Sequence, residues 1–291
     1  MSDTLVEKTP MVSVIMTTYN HEPYIKRAIE GVLMQETNFD VELILANDAS
    51  PDNTDQIVRQ LLENHPKRHW VKYTRHAENK GMKGNNIWAR EQTRGKYLAY
   101  CEGDDYWIEP LKLQRQVDFM EANPNIVICG TKCIWDDGKG KKKLNEWKAG
   151  LVTLRDILIE NRFATCTTMV RASMRKSLEI NYTGFNAGDL PTWLSLLQKG
   201  DGYNLDFYGA VYLYHGGGSY SSQSRSNILR YEFENRLAML RYVDTSLRFH
   251  LKWHSFILLL TYFARGLRFK FGYLKGIYNN RKLLIDFFFK H

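Results

Sequence analysis

Glu102-Gly103-Asp104-Asp105 places three carboxylates directly after the apolar stretch Tyr97-Leu98-Ala99-Tyr100-Cys101. Like charges this close repel and raise one another's pKa, so such a cluster at the end of a strand implies a cation. Hard divalent ions such as Mg2+ or Mn2+ take carboxylate oxygen, and one or two carboxylates commonly share such an ion with phosphates and water. An acidic turn leading into a helix near Pro110 is the competing reading, since acids favour helix N-termini. Two further turns carry polar chemistry, Thr17-Thr18-Tyr19-Asn20 and Asn47-Asp48-Ala49-Ser50, although Asp48 also suits a plain turn with Ser50 and Pro51. Asp189 heads a helical pattern, where an N-terminal role needs no catalysis. His215 precedes three glycines, and Lys80 and Lys83 lie in a polar turn.

These groups need elements to position them. Short β-branched runs alternate with amphipathic helical patterns through the first half, which predicts a largely parallel, doubly wound α/β sheet flanked by helices. Strands are expected over 12–17, 41–46, 70–74 and 96–101, with helices over about 22–34, around 57–62 and over 84–93. The three polar turns then fall at the carboxyl ends of three strands, where open α/β sheets bind ligands. Further on, 126–129, 165–170 and 208–214 read as strands, while Leu154 to Glu160 and the run from Asp189 read as helices. The Gly- and Lys-rich segment 136–143 reads as a solvated loop. Trp107 and Trp193 read as core or wall residues, with a sugar platform as the alternative.

The chain has 291 residues, 44% hydrophobic and 25% charged, which is ordinary globular composition and excludes disorder over most of its length. Its four cysteines form no CxxC pair and have no matching histidine spacing, so reduced, buried thiols in a cytoplasmic protein are expected. Residues 1–10 lack the basic and apolar regions of a secretion signal. The net charge of +8 is confined to the end of the chain: residues 227–291 carry 12 Lys+Arg against 4 Asp+Glu, and the rest balances at 28 of each. That stretch interleaves cations with Phe256, Phe269, Phe271, Tyr273 and Phe287-Phe288-Phe289. Its longest uncharged run, Ser255 to Ala264, falls short of the ~18–20 residues that span a bilayer. A domain over 1–226 and a basic helical region over 227–291 are therefore expected, the latter on an anionic membrane surface or against a second subunit. Nucleic acid is not expected, because no recognition motif accompanies the charge.

Four segments, Val12 to Asn20, Asn47-Asp48-Ala49-Ser50, Glu102-Gly103-Asp104-Asp105-Tyr106-Trp107 and Gly188-Asp189-Leu190-Pro191-Thr192-Trp193-Leu194, resemble in order and spacing the family 2 glycosyltransferases. The resemblance covers about residues 10–220. It implies a GT-A fold and an inverting transfer of a hexosyl or N-acetylhexosaminyl group from a UDP-sugar to a glycan or lipid-linked acceptor in surface polysaccharide synthesis, on the inner face of the plasma membrane. It implies that Thr17 and Tyr19 lie beside the base and Asp48 at the imide edge of uracil; Asn20 in the same segment is a further candidate contact, and Lys80 is a candidate for the diphosphate, with an exposed polar turn as the plain reading. Asp104 and Asp105 match the DxD region that binds Mn2+ or Mg2+. Glu102 stands where the family usually has the first Asp, which fits a ribose or water-mediated role. Asp189 matches the catalytic base of a Glu-Asp motif whose Glu is here Gly188, and His215 matches a late histidine that reaches the metal or diphosphate.

A metal bridging phosphate oxygens would stabilise the departing diphosphate, and a positioned carboxylate would take the acceptor hydroxyl's proton. A sugar nucleotidyltransferase is the rival enzyme reading, but the turn after the first strand lacks a Gly-rich basic loop. A sugar-nucleotide or glycan binding module without turnover is the non-enzyme alternative.

Overall fold

The computed structural model describes residues 9–145, 147–178, 180, 182–186, 188–215, 225–269, 277 and 280–289. The chain divides into two compact units, one of Met1–Leu151, Phe163–Ser177 and Gly200–Leu213, the other of Val152–Arg162, Leu178–Lys199 and Tyr214–His291. The second unit thus gathers segments from both sides of position 226.

In the first unit β1 (Val12–Thr18), α1 (Ile25–Leu33), β2 (Val41–Asn47), α2 (Thr54–Glu63), β3 (Val71–Arg75), α3 (Gly81–Glu91) and β4 (Tyr97–Tyr100) follow the expected alternation. The strands lie parallel in the order β3-β2-β1-β4. β2 and β4 are buried at every position and β1 at nearly every one, as parallel strands covered on both faces must be. Ile25, Ala28, Ile29, Val32 and Leu33 form the buried stripe of α1. At Gly31 on this helix a Cβ would stand 2.8 Å from the Trp107 backbone nitrogen, so a side chain there would push the two apart.

The sheet continues through β9 (Met169–Arg171), β6 (Ile126–Asp136), β10 (Asp201–Leu213) and β5 (Tyr106–Trp107). β9 runs antiparallel to both β4 and β6, and β10 runs parallel to β6 with register shifts. Three expectations change here. β6 reaches Asp136 rather than stopping at 129, and β7 (Lys142–Leu144) folds back antiparallel on it, so 136–143 belongs to a hairpin and not only to a solvated loop. Backbone pairing of β7 to Ile134, Trp135 and Asp136 leaves its lysines in water while satisfying the chain. Residues 165–167 form a 3-10 turn, which shortens the strand expected from 165. β10 starts at Asp201, seven residues before the apolar run that announced it. β8 (Gly150–Val152) also pairs with β10.

Two buried polar networks brace this unit. At the start of β1, Ser13 Oγ donates to Glu42 Oε1 at 2.5 Å, Arg94 N–H donates to the same oxygen at 2.8 Å, and Lys72 Nζ lies 2.8 Å from Glu42 Oε2. Under β5, the fully buried Lys112 at the start of α4 (Lys112–Ala122) donates to Gln116 Oε1 at 2.9 Å, and its ammonium stands 3.9 Å from the Trp107 ring centroid. Gln116 Nε2 donates onward to the Cys129 and Thr167 carbonyls, and Trp107 Nε1 donates to the Cys166 carbonyl at 2.7 Å. All four cysteines are free and buried.

The described helices of the second unit are α5 (Leu154–Ile159), α7 (Asp189–Leu197), α8 (Arg225–Met239), α9 (Thr245–Phe269) and α10 (Arg281–Phe289); α6 (Ala172–Lys176) belongs to the first. Thr153 and Asp156 close a capping box on α5. The buried Arg236 of α8 ties three helices together by donating to the Leu158 and Ile159 carbonyls and to Ser255 Oγ. Phe233 and Phe287 meet edge to face at 5.6 Å. Among the described residues no helix is long and apolar enough to cross a membrane.

Candidate functional site

Because β1, β2 and β4 are parallel neighbours, their carboxyl ends share one edge of the sheet. The three polar turns emerge there and are stitched together. Gly103 N–H donates to the Thr17 carbonyl at 3.0 Å, extending the β4 to β1 ladder into the acidic turn. Asp48 N–H donates to the Thr18 carbonyl at 2.9 Å, and Asn20 N–H to Ser50 Oγ at 3.1 Å. Further out, His21 N–H reaches Thr54 Oγ1 and Glu22 N–H reaches Asp52 Oδ2.

Two residues without glycine's freedom adopt left-handed backbone on this edge, Asn20 at φ 60° and Ala49 at φ 57°. Such conformations cost roughly 1 kcal/mol or more, least for Asn, and persist where the surroundings impose them. Ala49 is imposed upon by Asn47, which accepts the Ser50 N–H on Oδ1 and whose carbonyl accepts from both Ala49 and His76. The bend turns Asp48 inward, and its Oδ1 takes the Lys80 N–H at 2.7 Å while Asn79 Nδ2 holds its carbonyl. Lys80 thus meets Asp48 through its backbone, and its side chain is exposed. Tyr19 is exposed, and Thr17 is half-buried.

The acidic turn closes with Asp105 N–H donating to the Glu102 carbonyl at 3.1 Å. Its two aspartates face different ways. Asp105 is buried and accepts the Leu213 N–H on Oδ1 at 2.8 Å, whereas the Asp104 side chain is 22% exposed with Oδ2 3.8 Å from His21 Nε2. Burial first, then the Asp104 and Glu102 carboxylates, push the Asp105 carboxyl well above the usual range, and the Leu213 amide opposes them. Gly103 is required between them: a Cβ there would stand 2.7 Å from Thr18 Oγ1 and 2.9 Å from His21 Nδ1. Thr18 Oγ1 is buried without a hydrogen-bond partner among the described residues.

These features fit a divalent ion and an anionic ligand. Three carboxyl groups share one turn, where burial and their mutual repulsion raise the Asp105 carboxyl, and the Asp104 side chain is 22% exposed. Among the described residues no three His, Cys, Asp or Glu side chains are arranged to hold an ion alone. Mg2+ and Mn2+ sites built from one carboxylate plus phosphates and water have that character.

Asp189 and His215 belong to the second unit. Asp189 opens α7, where its Oδ1 takes the Leu190 N–H at 2.8 Å and its Oδ2 takes Asn161 Nδ2 at 3.2 Å. His215 is half-buried, and the glycines after it lie outside the described residues. Trp107 and Trp193 are buried and pack as core, not as platforms. Sequence reasoning placed Thr18 in a polar turn without giving it a role, and missed His21 and Asn161. His21, two residues beyond the exposed Tyr19, gave no signal until the fold placed it beside Asp104, and Asn161 lies 28 positions from the carboxylate it holds.

Comparison with known proteins defines the class. A crystal structure of Staphylococcus aureus TarS with UDP-GlcNAc superposes with a TM-score of 0.61 at 19% identity, over 89% of this chain and 73% of that one. A mannosyltransferase from Pyrobaculum calidifontis with GDP-Man and Mn2+ superposes at 0.62 and 14%, over 96% and 81%. The fold is of the GT-A type. The family model for glycosyl transferase family 2 matches residues 13–181, and the chain belongs to that family. The Bacillus subtilis putative teichuronic acid biosynthesis glycosyltransferase TuaG is 32% identical over 193 residues, 66% of this chain and 73% of its own length. A Mycobacterium tuberculosis protein is 34% identical over 165 residues, 55% of this chain; the chain spans 46% of that relative's length.

Proposed function

We propose that this chain is a glycosyltransferase that moves a sugar from a UDP-sugar to a hydroxyl of a glycan or lipid-linked glycan in surface polysaccharide synthesis, with inversion. The observation that carries this reading is the stitching of three polar turns on one sheet edge, where the partly exposed Asp104 carboxylate lies 3.8 Å from His21. Family membership and the polysaccharide-linked name of TuaG support the reaction class, and the UDP-GlcNAc in TarS supports the donor class.

In this mechanism Thr17, Tyr19 and Asn20 receive the nucleoside, Asp48 faces the uracil imide, and the Lys80 side chain lies toward the diphosphate. Glu102 serves the ribose. Asp104 would hold Mn2+ or Mg2+, with Asp105 fixing the turn from beneath, and His215 is the further candidate ligand. An ion held by these residues would neutralise charge on the leaving diphosphate. Asp189, oriented by Asn161, takes the acceptor proton as its oxygen attacks C1 from the face opposite the leaving group, so a single displacement inverts the anomeric centre. The acceptor is presented at an anionic membrane surface by the basic C-terminal region.

The test is a thermal-shift screen of UDP-, GDP- and CMP-sugars with and without Mn2+, since a ligand selective for the native state stabilises by mass action. A Mn2+-dependent shift with UDP-sugars that Asp104→Asn abolishes is expected. A shift with CMP-sugars alone overturns the donor assignment. Donor binding without turnover across acceptors would favour the binding module.

A further inference from the structure

We infer that one face of α9 is a membrane-docking surface, seated in the headgroup layer of an anionic bilayer. This deepens the proposed placement of the acceptor at a membrane, and it stands on the geometry of the helix.

Phe249, Trp253, Phe256, Ile257 and Leu260 are all solvent-exposed, Phe249 at 73% and Trp253 at 53%. At the helical turn of 3.6 residues these positions fall within an arc of about 100°. The opposite side is the packed one. Leu251 and Ser255 are fully buried, with Ser255 Oγ donating to the Leu251 carbonyl at 2.6 Å and receiving Arg236 at 3.4 Å. The helix is therefore anchored to its unit through one face, with Phe256 at the edge of the stripe meeting Phe288 edge to face at 6.4 Å, while Phe249, Trp253, Ile257 and Leu260 remain exposed. Scattered exposed apolar residues are ordinary, but a continuous stripe of this size marks an interaction surface.

Charge selects the occupant. α9 contains no Asp or Glu over its 25 residues. The cations Arg248 and Lys252, which also donate to the Val243 and Phe288 carbonyls at 3.4 and 3.3 Å, border one side of the stripe, and His250 and His254 border the other, with Arg155 3.4 Å from His250. A cation-flanked apolar face containing Trp is the composition of a helix lying in the plane of an anionic membrane. A second copy would set cations against cations. Crossing the bilayer is a different matter, since the helix lacks the required length of uncharged chain.

The full chain is floated with phosphatidylcholine vesicles that contain or lack phosphatidylglycerol, at low and high salt. Binding confined to the anionic vesicles and weakened by salt is expected. Phe249→Ser combined with Trp253→Ser should reduce it about tenfold or more, with circular dichroism and thermal midpoint unchanged. Arg248→Gln with Lys252→Gln keeps the apolar stripe and an amide donor for the Val243 and Phe288 carbonyls, and should also reduce binding. Equal flotation of wild type and both variants overturns the inference. So does a wild-type dimer in sedimentation velocity that the Phe249/Trp253 variant converts to monomer with no vesicle binding. Failure of the donor reading shows separately, as no thermal shift with any nucleotide-sugar in a protein that still floats.

Discussion

The Leu213 N–H donates to Asp105 Oδ1 across 2.8 Å, so the last residue of β10 holds the acidic turn that follows β4. Two segments more than a hundred positions apart thereby set the direction in which Asp104 points. Asp105→Asn keeps an acceptor for Leu213 and removes a carboxyl whose ionisation burial and its acidic neighbours oppose, so its metal-free stability should equal or exceed that of wild type. Asp105→Ala leaves the Leu213 amide without this acceptor and should cost about 1–3 kcal/mol. Chemical denaturation of the two variants checks the contrast, and equal loss in both would discard the positioning role.

Gly103→Ala should weaken Mn2+-dependent UDP binding about tenfold or more, because a Cβ 2.7 Å from Thr18 Oγ1 forces the turn to shift. Adding Thr18→Gly removes both nearest obstacles, Oγ1 at 2.7 Å and Cβ at 2.8 Å, and should restore part of the binding. Titration calorimetry of the single and double variants provides the measurement.

Glu42 governs acid stability at the other end of the sheet. Burial opposes its charge, but hydrogen bonds from Lys72, Ser13 and the Arg94 amide prevail and hold its carboxyl below the ordinary 4.5. A depressed folded pKa contributes stability that is fully present above 4.5 and is lost as pH falls through the folded value. Glu42→Gln should cost about 2–4 kcal/mol at pH 7. The gap from wild type should shrink below 4.5 in a series of thermal melts.

Lys112 makes the opposite signature in base. Its burial lowers the amine from 10.5 to about 8, so the unfolded chain binds the extra proton between those values and the native state gains stability as pH rises through them. Lys112→Met removes that titration. The midpoint difference between wild type and Lys112→Met should therefore move in favour of wild type from pH 8 to 10.5. A constant offset over that range would show that the ammonium is not desolvated.

Periodicity made most of the sheet legible, because β1, β2 and β4 are apolar runs with helices patterned between them. It failed where pairing, not composition, makes the strand. Lys142, Lys143 and Leu144 are exposed and look like loop, yet β6 supplies their ladder partners. Residues 201–207 mix polar and aromatic positions across register shifts, which hides the first half of β10. The acidic turn, the Asp48 turn and the Thr17 to Asn20 segment were readable because each is a short polar run directly after an apolar strand, at the carboxyl edge of the sheet.

Sequence alone determined the chemical inventory, the parallel core and the family resemblance, since each depends on local pattern or on motifs read in order. Tertiary structure decided the orientation of each group. It turned Asp105 inward to Leu213 and Asp104 outward beside His21, filled the core with Trp107 and Lys112, and left Phe249 and Trp253 in solvent. The physical reason is that direction and burial are set by contacts between segments distant in the chain, which no local spacing encodes.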